Sequence, residues 1–301
     1  MSNTTRKLRA LLKRKNFIAM PSAYDAITAR LIEGAGFDVA YNGGFVTGGS
    51  TCISEPLLTM PEQLRVASDM ANAVKIPVVM DAGAGWGEPL HTMRTVRECI
   101  RAGIAGVHIE DQLFPKRAHY HTYVAHNISL SDYRDKIRFA CKQRDELDKD
   151  FVIIARSDAC RIQGYKEAIK RVNLGAEQGA DMSMIFPRDH KEALNAPRDA
   201  DAPMVYVQSR GTRDGRPLYS YRQLEDMGYA AVIDATLAIT INFHFTKKAL
   251  AELKRTGDYT GISEDEFVAA RKGVEDTIGL EDSYRIERDT VEKRKRAKEK
   301  R

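Results

Sequence analysis

Four segments of the chain repeat one pattern: an amphipathic run, a glycine, and a short apolar run that ends in polar residues. The segments are EGAGFDVAYNGG (33–44), RAGIAGVHIEDQ (101–112), EQGADMSMIFPRD (177–189) and EDMGYAAVIDA (225–235). Glycine adopts the left-handed conformation that ends a helix without the steric cost of a Cβ atom. The run that follows is too short for a helix and apolar on both faces, which is typical of a parallel strand covered by helices. The pattern therefore predicts repeated helix–strand units.

Strands and helices alternate along most of the chain. Strands are predicted at 17–20, 39–42, 77–81, 106–111, 151–156, 182–186, 204–208 and 230–234. Helices are predicted at 24–35, 61–74, 89–102, 130–147, 166–178, 191–196, 221–227 and 236–255, with a further helix around Leu8, Leu11 and Leu12. Such alternation indicates an α/β fold with a parallel sheet. Eight units in roughly 240 residues predict a (β/α)8 barrel, and a doubly wound open sheet is the alternative.

The chain contains no linker rich in proline, glycine or serine that would divide it. We therefore expect residues 1–256 to form one barrel domain. Residues 257–301 are predicted to be a helical extension with a basic tail. Because the barrel is already complete before this extension, its helices are expected to pack outside the barrel, on another subunit.

Charge and cysteine content narrow the class of protein. The chain has a net charge of +5, but residues 285–301 alone hold nine basic and four acidic side chains, so the remainder is balanced and no nucleic-acid partner is expected. No apolar run is long enough for a membrane helix, and the basic N-terminus lacks the apolar segment of a secretory signal. The four cysteines show no CxxC spacing, which indicates reduced thiols in a cytoplasmic protein.

The ends of the predicted strands carry the candidate chemistry, because active sites of such folds lie at that rim. The rim residues are Asn42, Gly43, Gly44, Asp81, Glu110, Asp111, Gln112, Arg156, Ser157, Asp158, Pro187, Arg188, Gln208, Ser209 and Asp234. Converging carboxylates cannot all remain ionised without a cation. We expect Asp81 and Glu110 to bind Mg²⁺ or Mn²⁺, and a carboxylate–arginine network is the alternative. The planar guanidinium of Arg156 presents parallel N–H donors that can bind a substrate carboxylate. The backbone amides of Gly43 and Gly44 can bind an anion.

The segment LFPKRAHYHTYVAHN (113–127) has no periodicity of its own and is predicted to be a functional lid. Histidines 119 and 121 within it are candidate general acids or bases at neutral pH. Their HxH spacing is also found in zinc ligand pairs, but no third soft ligand is spaced nearby.

Six stretches of the chain together resemble the isocitrate lyase/phosphoenolpyruvate mutase superfamily. They are PSAYDAITARLIEGAGFDVAYNGG, LTMPEQL, IPVVMDAGAGWG, TVRECIRAGIAGVHIEDQLFPKR, FVIIARSDA and GADMSMIF. The resemblance implies a (β/α)8 barrel, usually a homotetramer built from dimers that exchange a C-terminal helix. It also implies a bound Mg²⁺ and a 2-oxo or 2-hydroxy acid, with a bond cleaved or formed beside a metal-chelated enolate.

The resemblance assigns roles by position. Asp81 and Glu110 match metal-binding acids, Arg156 matches the arginine that binds the substrate carboxylate, and Asn42-Gly43-Gly44 replaces a Ser-Gly anion-binding turn. Lys116 and Arg117 match the start of the KRCGH loop of the lyases.

Several positions depart from the family pattern. Gly83 stands where the DAD motif has its second aspartate, and Ala118 stands where the lyases have their catalytic cysteine, with no thiol nearby to replace it. The chain thus looks like a methylisocitrate lyase-like member without the cysteine. Pro187 and Arg188 replace a glutamate, and Arg188 and Arg210 add positive charge, which favours either a more anionic substrate or a site without metal.

These observations predict a Mg²⁺-dependent carbon–carbon lyase that acts on a small 2-hydroxy or 2-oxo (di)carboxylic acid through an enolate. The predicted site contains catalytic Lys116, Arg117, His119 and His121, substrate-binding Asn42, Gly43, Gly44, Arg156 and Arg188, and metal-binding Asp81 and Glu110. The alternatives are a 2-oxo acid decarboxylase, a hydrolase of C–C or P–C bonds, and a catalytically silent ligand-binding paralogue.

Overall fold

A computed structural model describes residues 3–14, 17–118, 122, 124–212 and 214–293. Eight parallel strands form one sheet in the order β1-β8-β7-β6-β5-β4-β3-β2. They are β1 (Ile18–Pro21), β2 (Ala40–Asn42), β3 (Val78–Asp81), β4 (Gly106–Glu110), β5 (Val152–Ser157), β6 (Met182–Ile185), β7 (Met204–Gln208) and β8 (Ala231–Asp234). β1 pairs with β8, and a parallel bridge between Ser22 and Tyr41 joins the β1 and β2 ends. The predicted (β/α)8 barrel is confirmed.

Twelve α-helices accompany the strands in the described part of the chain. They are α1 (Asn3–Lys13), α2 (Ala26–Gly34), α3 (Gly44–Thr51), α4 (Met60–Ala73), α5 (Pro89–Arg101), α6 (Leu130–Leu147), α7 (Tyr165–Glu177), α8 (His190–Asp199), α9 (Tyr221–Asp226), α10 (Leu237–Thr256), α11 (Glu264–Thr277) and α12 (Leu280–Glu287). A 3-10 turn covers Glu55–Leu57, and a π turn covers Arg288–Glu292. The four repeat glycines, at positions 36, 103, 179 and 228, have φ angles of +87°, +82°, +99° and +93°, as the sequence predicts.

Side chains alternate between two apolar layers along each strand, as the period of a β-strand requires. On β5, Val152 and Ile154 belong to the cluster inside the barrel, whereas Ile153 and Ala155 pack beneath the helices. Leu8 of α1 joins the inner cluster. This alternation places every second strand residue inside the barrel and so decides which polar side chains reach its carboxyl-terminal rim.

Helix α3 is the element that the sequence does not predict. Its sequence, GFVTGGST, contains three glycines, which disfavour a helix. Tertiary packing explains the helix, because a Cβ atom on Gly48 would lie 2.3 Å from the carbonyl oxygen of Ile53. Glycine therefore permits the close return of the chain after the helix.

The chain divides into two compact units, Met1–Ile241 and Asn242–Arg301. The first unit contains the barrel, and the second contains most of α10 together with α11 and α12. Several large apolar side chains of the second unit are exposed, including Phe243, Val268 and Ile286. Among the described residues, none of the helices is long and apolar enough to cross a membrane.

Asp181, just before β6, connects three parts of the barrel base. Its carboxylate accepts hydrogen bonds from Arg9 of α1, from Nη1 of Arg144 at 2.9 Å and from the amide of Ile153 at 2.8 Å. The side chain is only 14% exposed, so the solvent screens these contacts weakly.

Asp181→Asn is expected to lower the free energy of unfolding by about 1–3 kcal/mol, because it leaves two arginines with a neutral partner. Urea denaturation followed by circular dichroism measures the effect. The control is Asp69→Asn, whose carboxylate pairs with Arg65 at 3.6 Å on the surface and is expected to matter by less than about 0.5 kcal/mol. Equal midpoints for the two variants would show that the Asp181 contacts add no stability.

Candidate active site

A cavity of about 540 Å³ opens among the carboxyl ends of the barrel strands. Its walls include residues at or just after several strands, among them Tyr41, Asp81, His108, Arg156, Phe186 and Ser209. A volume of this size is typical of a small-molecule site. Strand ends therefore converge here as the barrel fold predicts.

Asp81 ends β3 and is held by backbone amides. Its Oδ1 accepts a hydrogen bond from the amide of Gly83 at 2.8 Å, and its Oδ2 accepts one from the amide of Gly44 at 3.2 Å. A Cβ atom on Gly44 would lie 3.3 Å from Oδ2 of Asp81, so this close approach favours glycine. Burial by itself would raise the pKa of Asp81, but nearby positive charges and the Gly83 amide outweigh burial and lower the pKa. Asp81 is thus an ionised carboxylate at neutral pH.

Glu110 ends β4 and faces Lys116 from the following loop. Nζ of Lys116 lies 3.1 Å from Oε1 of Glu110, and it donates a hydrogen bond of 2.5 Å to Oε1 of Glu55. Burial raises the pKa of Glu110, and the carboxylates of Asp81 and Asp158 add to the increase against the opposing cations. Glu55 lies in the 3-10 turn after α3 and not at the end of a strand, so the sequence analysis did not identify it as a site residue.

Arg156 ends an inward-facing row of β5 and is fixed on several sides. Its Nε and Nη2 donate to the two carboxylate oxygens of Asp158 at 3.0 and 3.1 Å, and Nη2 lies 3.2 Å from Oε2 of Glu110. Its guanidinium carbon lies 4.7 Å from the ring centroid of Phe186. The carboxylate–arginine contacts that the sequence analysis gave as the alternative to a metal site are therefore present, and Arg156 also lines the cavity wall.

Asp111 supports this arrangement from outside the barrel. Its carboxylate accepts hydrogen bonds from the Ser157 hydroxyl at 2.6 Å, from the Asp158 amide at 3.0 Å and from Nη1 of Arg171 at 3.2 Å. Gln112 donates to the Asp158 carboxylate from the other side. Asp111 and Gln112, which follow Glu110 at the rim, therefore position Asp158, and through it Arg156.

Tyr41 and His108 form a pair that the sequence analysis did not single out. The Tyr41 hydroxyl lies 2.7 Å from Nε2 of His108, and Nδ1 of His108 lies 3.6 Å from Oδ1 of Asp81. Burial lowers the pKa of His108 to about 4, so the imidazole is neutral at neutral pH. Both residues could have been identified from the alternation of side chains along a strand, because residues two apart point to the same side. Tyr41 lies two residues after the inward-facing Val39, and His108 lies two residues before Glu110.

The other predicted site residues lie in different places. Gly43 and Gly44 line the cavity, but Asn42 points away from it, because strand alternation turns it outward. The Asn42 amide instead bonds the Thr47 hydroxyl of α3 at 3.1 Å. The structure does not bring Arg188 to the cavity: its Nε donates to Glu192 at 2.8 Å, within the turn leading into α8.

The predicted lid is described only in part. Arg117 is exposed, whereas Lys116 points to the acidic side chains described above. His119 and His121 lie outside the described residues.

Comparison with known proteins decides the family. The phosphoenolpyruvate phosphomutase family matches residues 8–254. The chain belongs to the phosphoenolpyruvate mutase/isocitrate lyase superfamily. It is 33% identical to 2,3-dimethylmalate lyase of Eubacterium barkeri over 280 residues, which cover 92% of this chain and 91% of that enzyme. It is 34% identical over 259 residues to a probable 2-methylisocitrate lyase of Corynebacterium glutamicum, with 84% and 81% coverage.

A solved structure of oxaloacetate acetylhydrolase with the inhibitor 3,3-difluorooxalacetate superposes with a TM-score of 0.86 at 27% identity, covering 96% of this chain and 97% of that one. The superfamily relatives are therefore lyases and related hydrolases on one scaffold. Together these relationships support an enzyme of the carbon–carbon lyase class.

Members of the superfamily typically use Mg²⁺, so the fit of the site to this ion can be tested. Among the described residues beside β3 to β5, four carboxylates, Glu55, Asp81, Glu110 and Asp158, contact two cations, Lys116 and Arg156. One divalent cation would balance the excess of carboxylates on this side of the cavity when all four are ionised. Lys116 donates its hydrogen bond to Oε2 of Glu110 at 3.2 Å, and the buried Oε1, although 3.1 Å from the same Nζ, accepts no hydrogen bond of suitable geometry from the described residues.

Among all the residues that the structure describes, no three or more His, Cys, Asp or Glu side chains form a group that could hold a metal ion. Mg²⁺ needs no such group, because it commonly takes one or two carboxylates and keeps several waters. The donor set therefore fits Mg²⁺, although Gly83 supplies no carboxylate.

One thiol, which the sequence analysis did not single out, lies in the wall of the cavity. Cys160, which follows β5, lines the cavity. Burial raises the pKa of its thiol to about 12, so it remains protonated at neutral pH. The nucleophilic and acid–base chemistry of a thiolate is thus not available from Cys160.

Proposed function

We propose that the protein is a Mg²⁺-dependent carbon–carbon lyase that cleaves a small 2-hydroxy or 2-oxo carboxylic acid through an enolate. The observation that carries the proposal is the convergence of Asp81, Glu110, Lys116 and Arg156 on one cavity. The related hydrolase structure holds a 2-oxo diacid analogue, which supports a substrate of this kind.

Substrate binding would depend on Arg156. Its guanidinium is held by Asp158 and by the Phe186 ring, so little conformational entropy remains to be lost when a carboxylate binds. The side of the fork that carries Nη1 faces Asp81, with 3.8 Å between Nη1 and Oδ2. A carboxylate placed there would be oriented by a charge-assisted hydrogen bond.

Asp81 and Glu110 would hold the metal ion. When bound, Mg²⁺ (or Mn²⁺) would supply positive charge beside the oxygen on which the enolate charge develops. Lys116, held between Glu55 and Glu110, would place a second positive charge at the same region of the cavity.

Cleavage of a 2-hydroxy acid requires that a proton leave the hydroxyl as its carbon becomes a carbonyl, while the electron pair of the breaking carbon–carbon bond moves to the departing carbon. The Tyr41 hydroxyl can accept this proton as its own proton moves to Nε2 of the neutral His108, 2.7 Å away. The resulting enolate then takes up a proton at carbon. We propose His119 or His121 for this second transfer, and Arg117 as a further catalytic residue, because all three belong to the sequence segment that follows Lys116.

Tyr41→Phe is expected to lower kcat by about 10²–10³-fold, which is the usual contribution of a positioned acid–base group. KM and the affinity for oxalate should change by less than about threefold, since the variant keeps the ring and the charge of the site. Steady-state kinetics together with oxalate titration separate the two effects. Equal losses in kcat and in oxalate affinity would mean that Tyr41 only shapes the cavity.

Product analysis tests the proposed reaction class. Enzyme, Mg²⁺ and a series of 2-hydroxy and 2-oxo acids, including dicarboxylic acids, are incubated and followed by NMR. Release of a 2-oxo acid together with a second carboxylic acid from a 2-hydroxy diacid supports the lyase. Two carboxylic acids without a ketone or aldehyde group indicate a hydrolase, and one organic fragment with CO₂ indicates a decarboxylase. Turnover of no acid would favour the silent paralogue.

We also propose that the chain forms a homo-oligomer, a dimer or a tetramer, through its second unit. Phe243 is 70% exposed, and Val268 and Ile286 are 61% and 60% exposed, which is unusual for isolated helices in water. Light scattering should give a mass at least twice that of one chain, and a monomer at micromolar concentration would contradict the proposal.

A further inference from the structure

The wall of the cavity opposite Asp81 is rich in arginine. Arg161, Arg210 and Arg216 line it together with Asp214, which pairs with Arg161 and Arg216. These residues follow β5 and β7, whereas the acidic group around Asp81 lies at β3 and β4. The cavity thus has an acidic, metal-compatible side and a basic side.

Arg216 is a fixed part of the basic side. Its Nε and Nη2 donate to Oδ2 of Asp214 at 3.1 and 2.8 Å, and Nη1 donates to the carbonyl of Val207 at 3.2 Å. Its guanidinium carbon lies 4.6 Å from the centroid of Phe186, the same ring that Arg156 contacts. A single aromatic ring therefore lies beside both arginines, and the two sides of the cavity are close together.

Arg210 is held much more loosely. Its Nε lies 3.6 Å from Oδ2 of Asp234, beyond hydrogen-bond distance, and 48% of its side chain is exposed. Asp234 ends β8 and is almost completely buried, and its Oδ1 has no hydrogen-bond partner among the described residues. The buried carboxylate thus attracts the arginine but leaves its guanidinium able to reorient towards a ligand.

Hydroxyl groups complete this side of the cavity. Ser209 and Thr236 both line it, and their hydroxyl oxygens are 3.4 Å apart. Hydroxyls beside a loosely held guanidinium are the groups that proteins commonly use to bind an anion.

We propose that Arg210 is a specificity-determining residue that binds a second anionic group of the substrate, and that Asp234 is its positioning residue. The inference rests on the proposed function, because the first carboxylate of the substrate is taken to lie at Arg156. A monocarboxylic acid would fill only the acidic side and would leave the Arg210 guanidinium without a ligand. A diacid of the same length would engage both sides of the cavity.

Two probes that share the 2-oxo acid end test this inference. 2-Oxoglutarate has a second carboxylate, and 2-oxopentanoate has the same five-carbon chain without it. Calorimetric titration with saturating Mg²⁺ should show that the full-length protein binds the diacid at least tenfold more tightly, as one charge-assisted hydrogen bond allows. In Arg210→Gln this preference should fall to about twofold, whereas the affinity for oxalate should stay within twofold.

Variants of the neighbouring residues separate binding from structure. Arg210→Lys should restore part of the preference, and Asp234→Asn should reduce it about threefold to tenfold without weakening oxalate binding. The matched control is Arg138→Gln, which removes a surface arginine paired with Asp135 at 3.3 Å and should behave as the unmodified protein.

An undiminished preference for the diacid in Arg210→Gln would overturn the inference, as would the absence of any preference in the unmodified protein. Failure of oxalate to bind any form of the protein, the unmodified chain included, would instead remove the proposed function and the inference that depends on it. The two failures are therefore distinguishable in one set of titrations.

Discussion

Asp81→Asn is expected to lower turnover by about a thousandfold or more and to abolish the response to Mg²⁺. The substitution keeps the shape of the side chain but removes the ionised carboxylate that two backbone amides orient at the end of β3. A neutral amide is a much weaker ligand for a hard divalent cation. Without the bound cation the enolate would lose its main electrostatic stabilisation, which is commonly the largest single contribution to catalysis.

The measurement for Asp81→Asn is turnover of the acid identified by product analysis, over a range of Mg²⁺ concentrations. Asp69→Asn is the matched control, because Asp69 lies on the surface of α4 and pairs only with Arg65 among the described residues. Thermal unfolding of both variants shows whether the fold is preserved. Turnover of Asp81→Asn within tenfold of the unmodified protein would mean that Asp81 does not hold a catalytic metal.

Arg156→Lys is expected to lower kcat/KM by about 10²–10³-fold, mainly through KM. Lysine keeps the positive charge, so Asp158 and Glu110 retain a cationic neighbour and the barrel remains folded. It loses the planar fork that now bonds both oxygens of Asp158 and packs 4.7 Å from the Phe186 centroid. A point charge on a flexible stem cannot replace bidentate geometry.

Steady-state kinetics and oxalate titration measure the loss in Arg156→Lys. Arg138→Lys serves as the control, since it makes the same chemical change on the surface of α6, where 55% of the arginine side chain is exposed. If Arg156→Lys kept the KM of the unmodified protein and lost only kcat, the arginine would act on the transition state rather than on the bound carboxylate.

The sequence predicts the fold well because the barrel is made of repeated local signals. Glycines in the left-handed conformation end the helices, and short apolar runs form the strands, so all eight strands are found within one or two residues of their predicted bounds. Helix α3 was missed because its stability comes from the close return of the chain at Gly48 rather than from its own sequence.

Among the predicted residues within the strands, those that reach the cavity lie at or next to a strand end and point inward, as Asp81, Glu110 and Arg156 do. Gly43 and Gly44 follow β2 directly, and Lys116 was assigned by resemblance rather than by its position on a strand. Asn42 ends β2 but faces α3, and its inward neighbour Tyr41 lines the cavity instead. The position in the strand alternation, rather than the position at the strand end alone, decides which polar residue belongs to the site.

Residues that reach the site from loops could not be assigned from sequence. Glu55 lies in a 3-10 turn and Arg216 lies in the segment after β7, so neither occupies a strand end, which was the signal used to select candidate residues. Cys160 follows β5 in the chain and lines the cavity, whereas the expectation considered only thiols close to Ala118 in sequence. Such contacts arise from the closure of the barrel, which brings distant loops together.

Binding of oxalate to metal-stripped protein, with and without Mg²⁺, tests the central claim most directly, because oxalate resembles in shape and charge the 2-oxo acid end that the metal site would bind. We predict that Mg²⁺ and oxalate bind cooperatively, that each raises the affinity for the other, and that this coupling is lost in Asp81→Asn but kept in Asp69→Asn. Binding of oxalate that is indifferent to Mg²⁺, or no binding at all, would contradict enolate chemistry at a metal site in this barrel.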